Sequence, residues 1–273
     1  MRSLGILLAL VLALAASACG GSSQPAAEQA PQDAIVLAAA KTKDAGTYKA
    51  DTTASSELAG QTFEMSGTGE FDGENQRGQM TMTTSIAGQD LDMEMVYALP
   101  AIYVRYPPGL LPGMPAGKPW VKLDLEKLGR EAGLDLNQLM QVGQSDPSQG
   151  LQFLSGASDV QSVGQEDVRG VPTTHYKGTV DLQALAEKNP ALKDSVDQLI
   201  QQSGVTEVPI EVWIDDEGFV RRMKQSLEGA AAGSGVKMDL TTTTELYDFG
   251  TDVNVEEPPA DQVVDFSELM GQS

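Results

Sequence analysis

Gln61-Thr62-Phe63-Glu64-Met65-Ser66-Gly67-Thr68-Gly69-Glu70-Phe71-Asp72 alternates without a break. Phe63, Met65, Gly67, Gly69 and Phe71 fall on one face, and Thr62, Glu64, Ser66, Thr68 and Glu70 on the other. A period of two predicts a β-strand with one buried face. The pattern continues on both sides. Upstream, Tyr48, Ala50, Thr52, Ala54, Ser56 and Leu58 alternate with more polar neighbours, and Ala59-Gly60-Gln61 makes a turn. Downstream, Asp72-Gly73-Glu74-Asn75 turns the chain towards Met80, Met82, Thr84 and Ile86, and Ala87-Gly88 leads to Leu91, Met93, Met95 and Tyr97. Alternating runs separated by turn residues predict an antiparallel meander with one face buried, which Ala101 to Tyr106 continues.

The remaining chain adds helices and more strands. Pro107 to Pro119 is a proline- and glycine-rich loop that exposes Leu110, Leu111 and Met114. Trp120 to Leu123 resumes the strand pattern, and Leu125 to Leu154 is helical in short pieces, with Pro147 placed to open one of them. Val160 to Val180 predicts a hairpin turning at Arg169-Gly170. Asp181 to Gln202 is helical and broken at Asn189-Pro190. Val208 to Ile214, Phe219 to Leu227 and Val236 to Leu246 return to strand, and the tail is acidic and marked by prolines. This order predicts an α+β fold: one large curled antiparallel sheet of about ten strands packed on several short helices, since a sheet of that size must curl or split.

The N-terminus is an export signal. Arg2 precedes an apolar run from Leu4 to Ala15, followed by Ala16-Ser17-Ala18-Cys19-Gly20-Gly21. The run is too short for a membrane of about 30 Å, so residues 1–18 are expected to be removed as a signal peptide. Cys19 is the single cysteine and has no intramolecular disulfide partner. Its setting resembles a bacterial lipobox, with Ala16 where leucine is commonest. That resemblance implies that Cys19 is acylated in the manner of a palmitate-bearing lipoprotein, becomes the new N-terminus and anchors the chain on the extracytoplasmic face of the cell membrane. The alternative is an ordinary secretory signal with an incidental cysteine. Residues 19–33, rich in Gly, Ser, Ala, Pro and Gln, read as a flexible tether, and residues 34–267 as a single folded domain. With 39 acidic against 18 basic residues the formal charge is −21, and losing Arg2 makes it −22. Such a charge excludes nucleic acid as a partner and disfavours docking on anionic headgroups.

Catalytic signatures are absent from the sequence: there is no G-x-S-x-G, no H-E-x-x-H and no P-loop, and Gly67-Thr68-Gly69 lies inside a strand pattern. His175, the sole histidine, falls on the outward side of its strand and reads as a surface residue. Asp90, Asp92 and Glu94 line a strand face opposite leucine and methionine, which is the normal solvated side and not a metal site. The expectation is a non-enzyme with no catalytic residue, cofactor or metal. The buried stripes point elsewhere. Aromatic residues are only 5% of the chain, so a large curled sheet has few bulky fillers. The inward positions carry Met65, Met80, Met82, Met93 and Met95, with small residues at Ala54, Ser56, Gly67, Gly69 and Gly178, beside Phe63, Phe71 and Tyr176. Methionine adapts to irregular apolar shapes, so these residues are candidates to line a ligand cavity. The competing reading makes the glycines bend points and the methionines core filler. The residues alone leave both open.

Family resemblance adds to this. Ala39-Ala40-Lys41-Thr42-Lys43-Asp44-Ala45-Gly46-Thr47-Tyr48, Trp120-Val121-Lys122-Leu123, Gly170-Val171-Pro172-Thr173-Thr174-His175-Tyr176, Pro209-Ile210-Glu211-Val212-Trp213-Ile214-Asp215 and Val255-Glu256-Glu257-Pro258-Pro259 resemble the actinobacterial LppX/LprA/LprF/LprG lipoproteins. The resemblance implies a half-open β-barrel like that of the carrier LolA, wrapped round helices, with an apolar cavity for the acyl chains of a lipid or lipoglycan. The implied function is lipid binding and transport across the cell envelope by a membrane-anchored monomer, with an envelope transporter as partner. Leu110, Leu111 and Met114 would then flank a portal, or form a plain hairpin loop. The alternative function is an envelope interaction or structural lipoprotein without lipid cargo.

Overall fold

The computed structural model describes residues 30–58, 61–86, 89–111, 113–132, 151, 153–188, 190, 193–230 and 237–270. Strands β1 (Thr47–Leu58), β2 (Gln61–Asp72), β3 (Arg77–Ile86), β4 (Gln89–Ala98), β5 (Ala101–Arg105) and β6 (Trp120–Asp124) are followed by β7 (Ala157–Val168), β8 (Val171–Asp181), β9 (Glu207–Asp215), β10 (Val220–Ala230), β11 (Lys237–Tyr247) and β12 (Val263–Asp265). They join in one sheet of twelve strands, ordered β12-β6-β5-β4-β3-β2-β1-β11-β10-β9-β8-β7. Helices α1 (Pro31–Lys43), α2 (Leu125–Ala132), α3 (Leu182–Lys188), α4 (Lys193–Ser203) and α5 (Phe266–Met270) are the described α-helices, beside single 3-10 turns at Leu154–Gly156 and Ala260–Gln262.

The α+β class and the large sheet are as the alternation predicts, with two differences. The described residues form twelve strands where about ten were expected. The acidic tail also contributes: after β11 it crosses to the far edge, where β12 pairs with β6 in parallel, while the other neighbouring pairs are antiparallel. A three-residue strand carries too little periodicity to be read from sequence. Two other expectations, the helix opened by Pro147 and the start of the last strand at Val236, lie outside the described residues.

Turn chemistry sets the registers. Asp72 closes the β2–β3 turn by accepting the Asn75 backbone N–H (2.9 Å) and side-chain amide (2.7 Å). Arg169 and Gly170, with φ of 53° and 79°, form the two-residue turn between β7 and β8.

One face of the sheet, the inner face, carries the core. Helix α1 lies across β7, β9 and β10, with Ile35, Ala38, Ala39 and Thr42 buried. Pro31 in its first turn, Asp33 behind it and Lys41 and Lys43 in its last turn suit the helix dipole. The Thr42 hydroxyl donates to Ala38 O (2.7 Å) and accepts the Val220 N–H (2.8 Å), which ties α1 to β10. Leu154, Leu182, Leu185 and Val196 fill the same side. On β1–β5 the packed end is built from Tyr48, Phe71, Tyr97 and Ile102. Tyr48 and Phe71 stack at 5.5 Å, and Phe71 meets Tyr97 at 6.2 Å. On the outer face Val255, in the segment between β11 and β12, packs against Val96, Ala98, Ala101 and Tyr103. The Tyr103 hydroxyl donates to Glu257 (2.6 Å), so this segment is a strap held on the back of the sheet. Burial and that carboxylate push the Tyr103 phenol up to about 12.

Candidate functional site

Register brings the candidate lining residues into rows. Thr244, Thr52, Gly67, Met82 and Met93 are successive partners across β11, β1, β2, β3 and β4. The next row towards the hairpin tips reads Thr242, Ala54, Met65, Thr84 and Leu91, and the row after it contains Leu240, Ser56 and Phe63. On the other side the rows continue through Met223, Val212 and Tyr176, and through Gln225, Ile210 and Gly178. No formally charged residue stands in these rows.

The two ends of the rows differ. Where β8–β10 meet α1 and α3 they are sealed: Ile210, Val212 and Met223 are buried. On β1–β4 they are half-exposed, and Met65 is 39% exposed on the face that elsewhere carries the core. One row nearer the packed end, Met80 and Met95 lean against the core and are half-buried. The uncharged, methionine-bearing stretch on β1–β4 is therefore apolar surface in contact with solvent among the described residues.

The sequence candidates divide on this geometry. Ala54, Ser56, Phe63, Met65, Gly67, Met82 and Met93 sit together at the half-exposed end. Phe71 does not: it is 1% exposed and belongs to the packed end. Tyr176 packs against the sealed core. The space expected over the small residues is occupied. A Cβ on Gly69 would stand 2.6 Å from Gln79 O and 3.0 Å from the Phe71 ring, and one on Gly178 would be 3.0 Å from Ser158 O and Val160. At Gly67 the neighbours are Met80 Sδ and Met82 Cγ, both 3.3 Å from a built Cβ. These glycines seat the flexible side chains of the next strand; cross-strand partners sit close enough to fill the gap.

The loop after β5 leaves the sheet at Arg105, opposite Glu94, and rejoins it at Trp120, opposite Arg105. It stands beside the half-exposed end, one residue from Met93. Leu110 is 43% exposed and Leu111 and Met114 are half-buried. Cys19 lies outside the described residues.

The outward carboxylates have ordinary partners: Asp90 accepts from Ser85 (2.5 Å), Asp92 from Thr83 (2.7 Å), and Glu94 pairs with Arg105 (2.9 Å). A cleft of about 580 Å³ lies on this outer face, not the inner one. Lys49, Glu70, Gln79, Trp120, Glu256 and Pro258 are among its walls, between the sheet and the strap. His175 is on the outer face as expected, but it is not a surface residue. It is 5% exposed because Trp213, its partner on β9, stacks on it at 4.1 Å and 11°. Helices separate β8 from β9 in sequence, so no hairpin rule could have shown this pairing.

Residues 135–255 match a family model described as LppX_LprAFG lipoprotein. Over these residues the chain is similar to the LppX/LprA/LprF/LprG lipoproteins. The match to this family takes in β7–β11, whereas the methionine positions on β2–β4 precede it. A 31.2 kDa Streptomyces griseus protein encoded between rplA and rplJ is 37% identical over 166 residues, covering 57% of this chain and 51% of its own. A Streptomyces coelicolor lipoprotein is 31% identical over 157 residues, 56% of this chain and 45% of its own. The chain thus spans about half the length of these curated relatives. Among solved structures, Mycobacterium tuberculosis lipoprotein LppX is 14% identical, with 82% of this chain and 99% of that one covered and a TM-score of 0.46. Mycobacterium bovis LprF is 17% identical, with 84% and 96% covered and a TM-score of 0.47. Among the described residues, no helix is long and apolar enough to cross a membrane.

Proposed function

We propose that this protein is a membrane-anchored, non-enzymatic lipoprotein that holds the acyl chains of a lipid or lipoglycan against the half-exposed rows of β1–β4 and carries them across the cell envelope. One observation carries the reading: among the described residues, an uncharged, methionine-rich stretch of the inner face is half-exposed beside an end that is tightly packed. Burial of acyl chains there would contribute about 0.8 kcal/mol per CH₂ removed from water. In this reading acylated Cys19 holds the protein at the extracytoplasmic face, residues 19–33 are the tether, and residues 34–267 are one lipid-binding domain working as a monomer. Leu110, Leu111 and Met114 border the entrance, and an envelope transporter supplies or receives the cargo.

Mass spectrometry of lipid extracted from the purified, folded protein tests this. A stoichiometric long-chain lipid is the expected result. Folded protein that neither carries such a lipid nor takes up a fluorescent long-chain probe would end the cargo reading. A second reading has its own support, since the cleft of about 580 Å³ under the strap has mixed charged and apolar walls suited to an envelope protein partner. That same lipid-free outcome would select it.

A further inference from the structure

Both ring nitrogens of His175 face carboxylates. Nδ1 is 3.2 Å from Glu166 Oε1 on β7, and Nε2 is 2.9 Å from Glu211 Oε2 on β9. A neutral imidazole has one N–H and cannot donate to both; an imidazolium can. The ring is nearly closed off from water by Trp213, whose indole N–H donates to Glu166 Oε2 (2.9 Å). The other charges facing the cluster are Lys177 on β8 and Lys224 on β10, at 3.1 and 3.2 Å from Glu211, and Arg222 on β10, which lies over Trp213 at 5.2 Å. Glu211 therefore has two lysines beside the imidazole, whereas Glu166 has the imidazole, the indole and the charge of Arg222.

Strand β7 is the free edge of the sheet, and its ladder to β8 is interrupted. The register shifts between Ser158 and Gln161 and again between Ser162 and Gly164. Gln161 to Asp167 is exposed, and Val163 is 49% exposed, while Ala157 and Val168 anchor the two ends at 1%. A bulged edge strand with few buried contacts opens locally at low cost. Side chains hold the middle of β7: the His175–Glu166 and Trp213–Glu166 bonds, and Thr173 Oγ1 donating to Glu166 O at 2.6 Å.

We infer that His175, as an imidazolium, is a pH-sensitive clasp that fastens edge strand β7 to β8 and β9. The inference stands apart from the cargo reading. As pH rises and the ring loses a proton, the remaining N–H keeps the shorter bond to Glu211. The Glu166 carboxylate then faces a lone pair, and the middle of β7 loosens. As pH falls the clasp persists, because the Trp213 hydrogen bond, followed by the His175 charge, holds Glu166 below the usual carboxylate range against its desolvation.

The test is amide hydrogen exchange of the full chain, read with the ¹⁵N ring signals of its only histidine. After correction for intrinsic exchange, protection across 161–167 should fall at least about tenfold over the pH span in which the ring signals pass from two N–H groups to one. Glu166→Gln should remove that fall and leave β7 closed, because the amide donates to the bare ring nitrogen and still accepts from Trp213. A ring that carries a single N–H at every pH where the protein is folded overturns the inference, as does pH-independent protection in the unaltered chain or an equal fall in Glu166→Gln. If Glu166→Gln does not fold, the ring signals and protection of the unaltered chain decide alone.

Discussion

A Cβ on Gly69 would meet backbone, the Gln79 carbonyl oxygen at 2.6 Å, whereas at Gly67 the nearest atoms are the flexible ends of Met80 and Met82 at 3.3 Å. The same residue type thus answers to different constraints two positions apart. Gly69→Ala should destabilise the protein by about 1–3 kcal/mol, since a carbonyl in a strand ladder cannot step aside without shifting β3. Gly67→Ala should cost clearly less, because a methionine can change rotamer. Urea unfolding of the two variants checks the order, and equal costs would refute it. Thr42 makes a sharper case. Its fully buried hydroxyl accepts the Val220 N–H, so Thr42→Val leaves that donor unpaired at about 1–3 kcal/mol, while Thr42→Ser retains most of the stability. The alternation that marks Gly67 and Gly69 as inward was readable in the sequence. Which of them touches backbone was not, because that depends on the register with β3.

Strands and helices were the most legible level, and the reasons for the misses are physical. The four runs from Thr47 to Tyr97 alternate and are separated by turn-forming residues, so local signals fix both the strands and their neighbours. Pairings β1–β11, β8–β9 and β12–β6 join segments far apart in sequence, where no turn dictates register. Side chains across those long-range seams carry a pH signature. Glu245 on β11 binds Arg222 on β10 at 2.6 Å and Arg169 from the β7–β8 turn at 3.0 Å, and Arg169 also reaches Asp51 on β1 at 2.8 Å. Burial raises the Glu245 carboxyl, but the two arginine hydrogen bonds outweigh it and hold it below the usual range. Glu211 is lowered in the same way, burial being outweighed by Lys177 and Lys224. A carboxylate depressed in the folded state adds stability above the ordinary glutamate range and loses it as pH falls through the depressed value. Stability should therefore decline on acidification below about pH 4. Glu245→Gln should lower stability at neutral pH and flatten that acid limb, measured as unfolding midpoint against pH. An unchanged limb would show that the seam contributes nothing through this residue.

For the whole molecule, the sequence located an apolar, uncharged face but could not say whether it was filled, because filling depends on where the helices land. Helices α1 and α3 and the turn at Leu154 cover the β7–β10 side, and the described residues leave the β1–β4 rows half-exposed. Function and stability should separate on this asymmetry. Met82 and Met93 are paired across β3 and β4 and both are half-exposed, so a charge placed there keeps access to water and costs the fold little. An acyl chain lying along the row would instead have to desolvate that charge, which costs several kcal/mol after relaxation. Met82→Asp should reduce uptake of a long-chain fluorescent lipid at least about tenfold, which corresponds to about 1.4 kcal/mol, with only a small change in thermal midpoint. Ile210→Asp, on the sealed side of the neighbouring row and 1% exposed, should unfold the protein instead. Lipid uptake that survives Met82→Asp in folded protein would move the site off β1–β4 altogether. The outer cleft beneath the strap would then be the next surface to test, with Trp120→Ala and Glu256→Gln read against capture of envelope proteins.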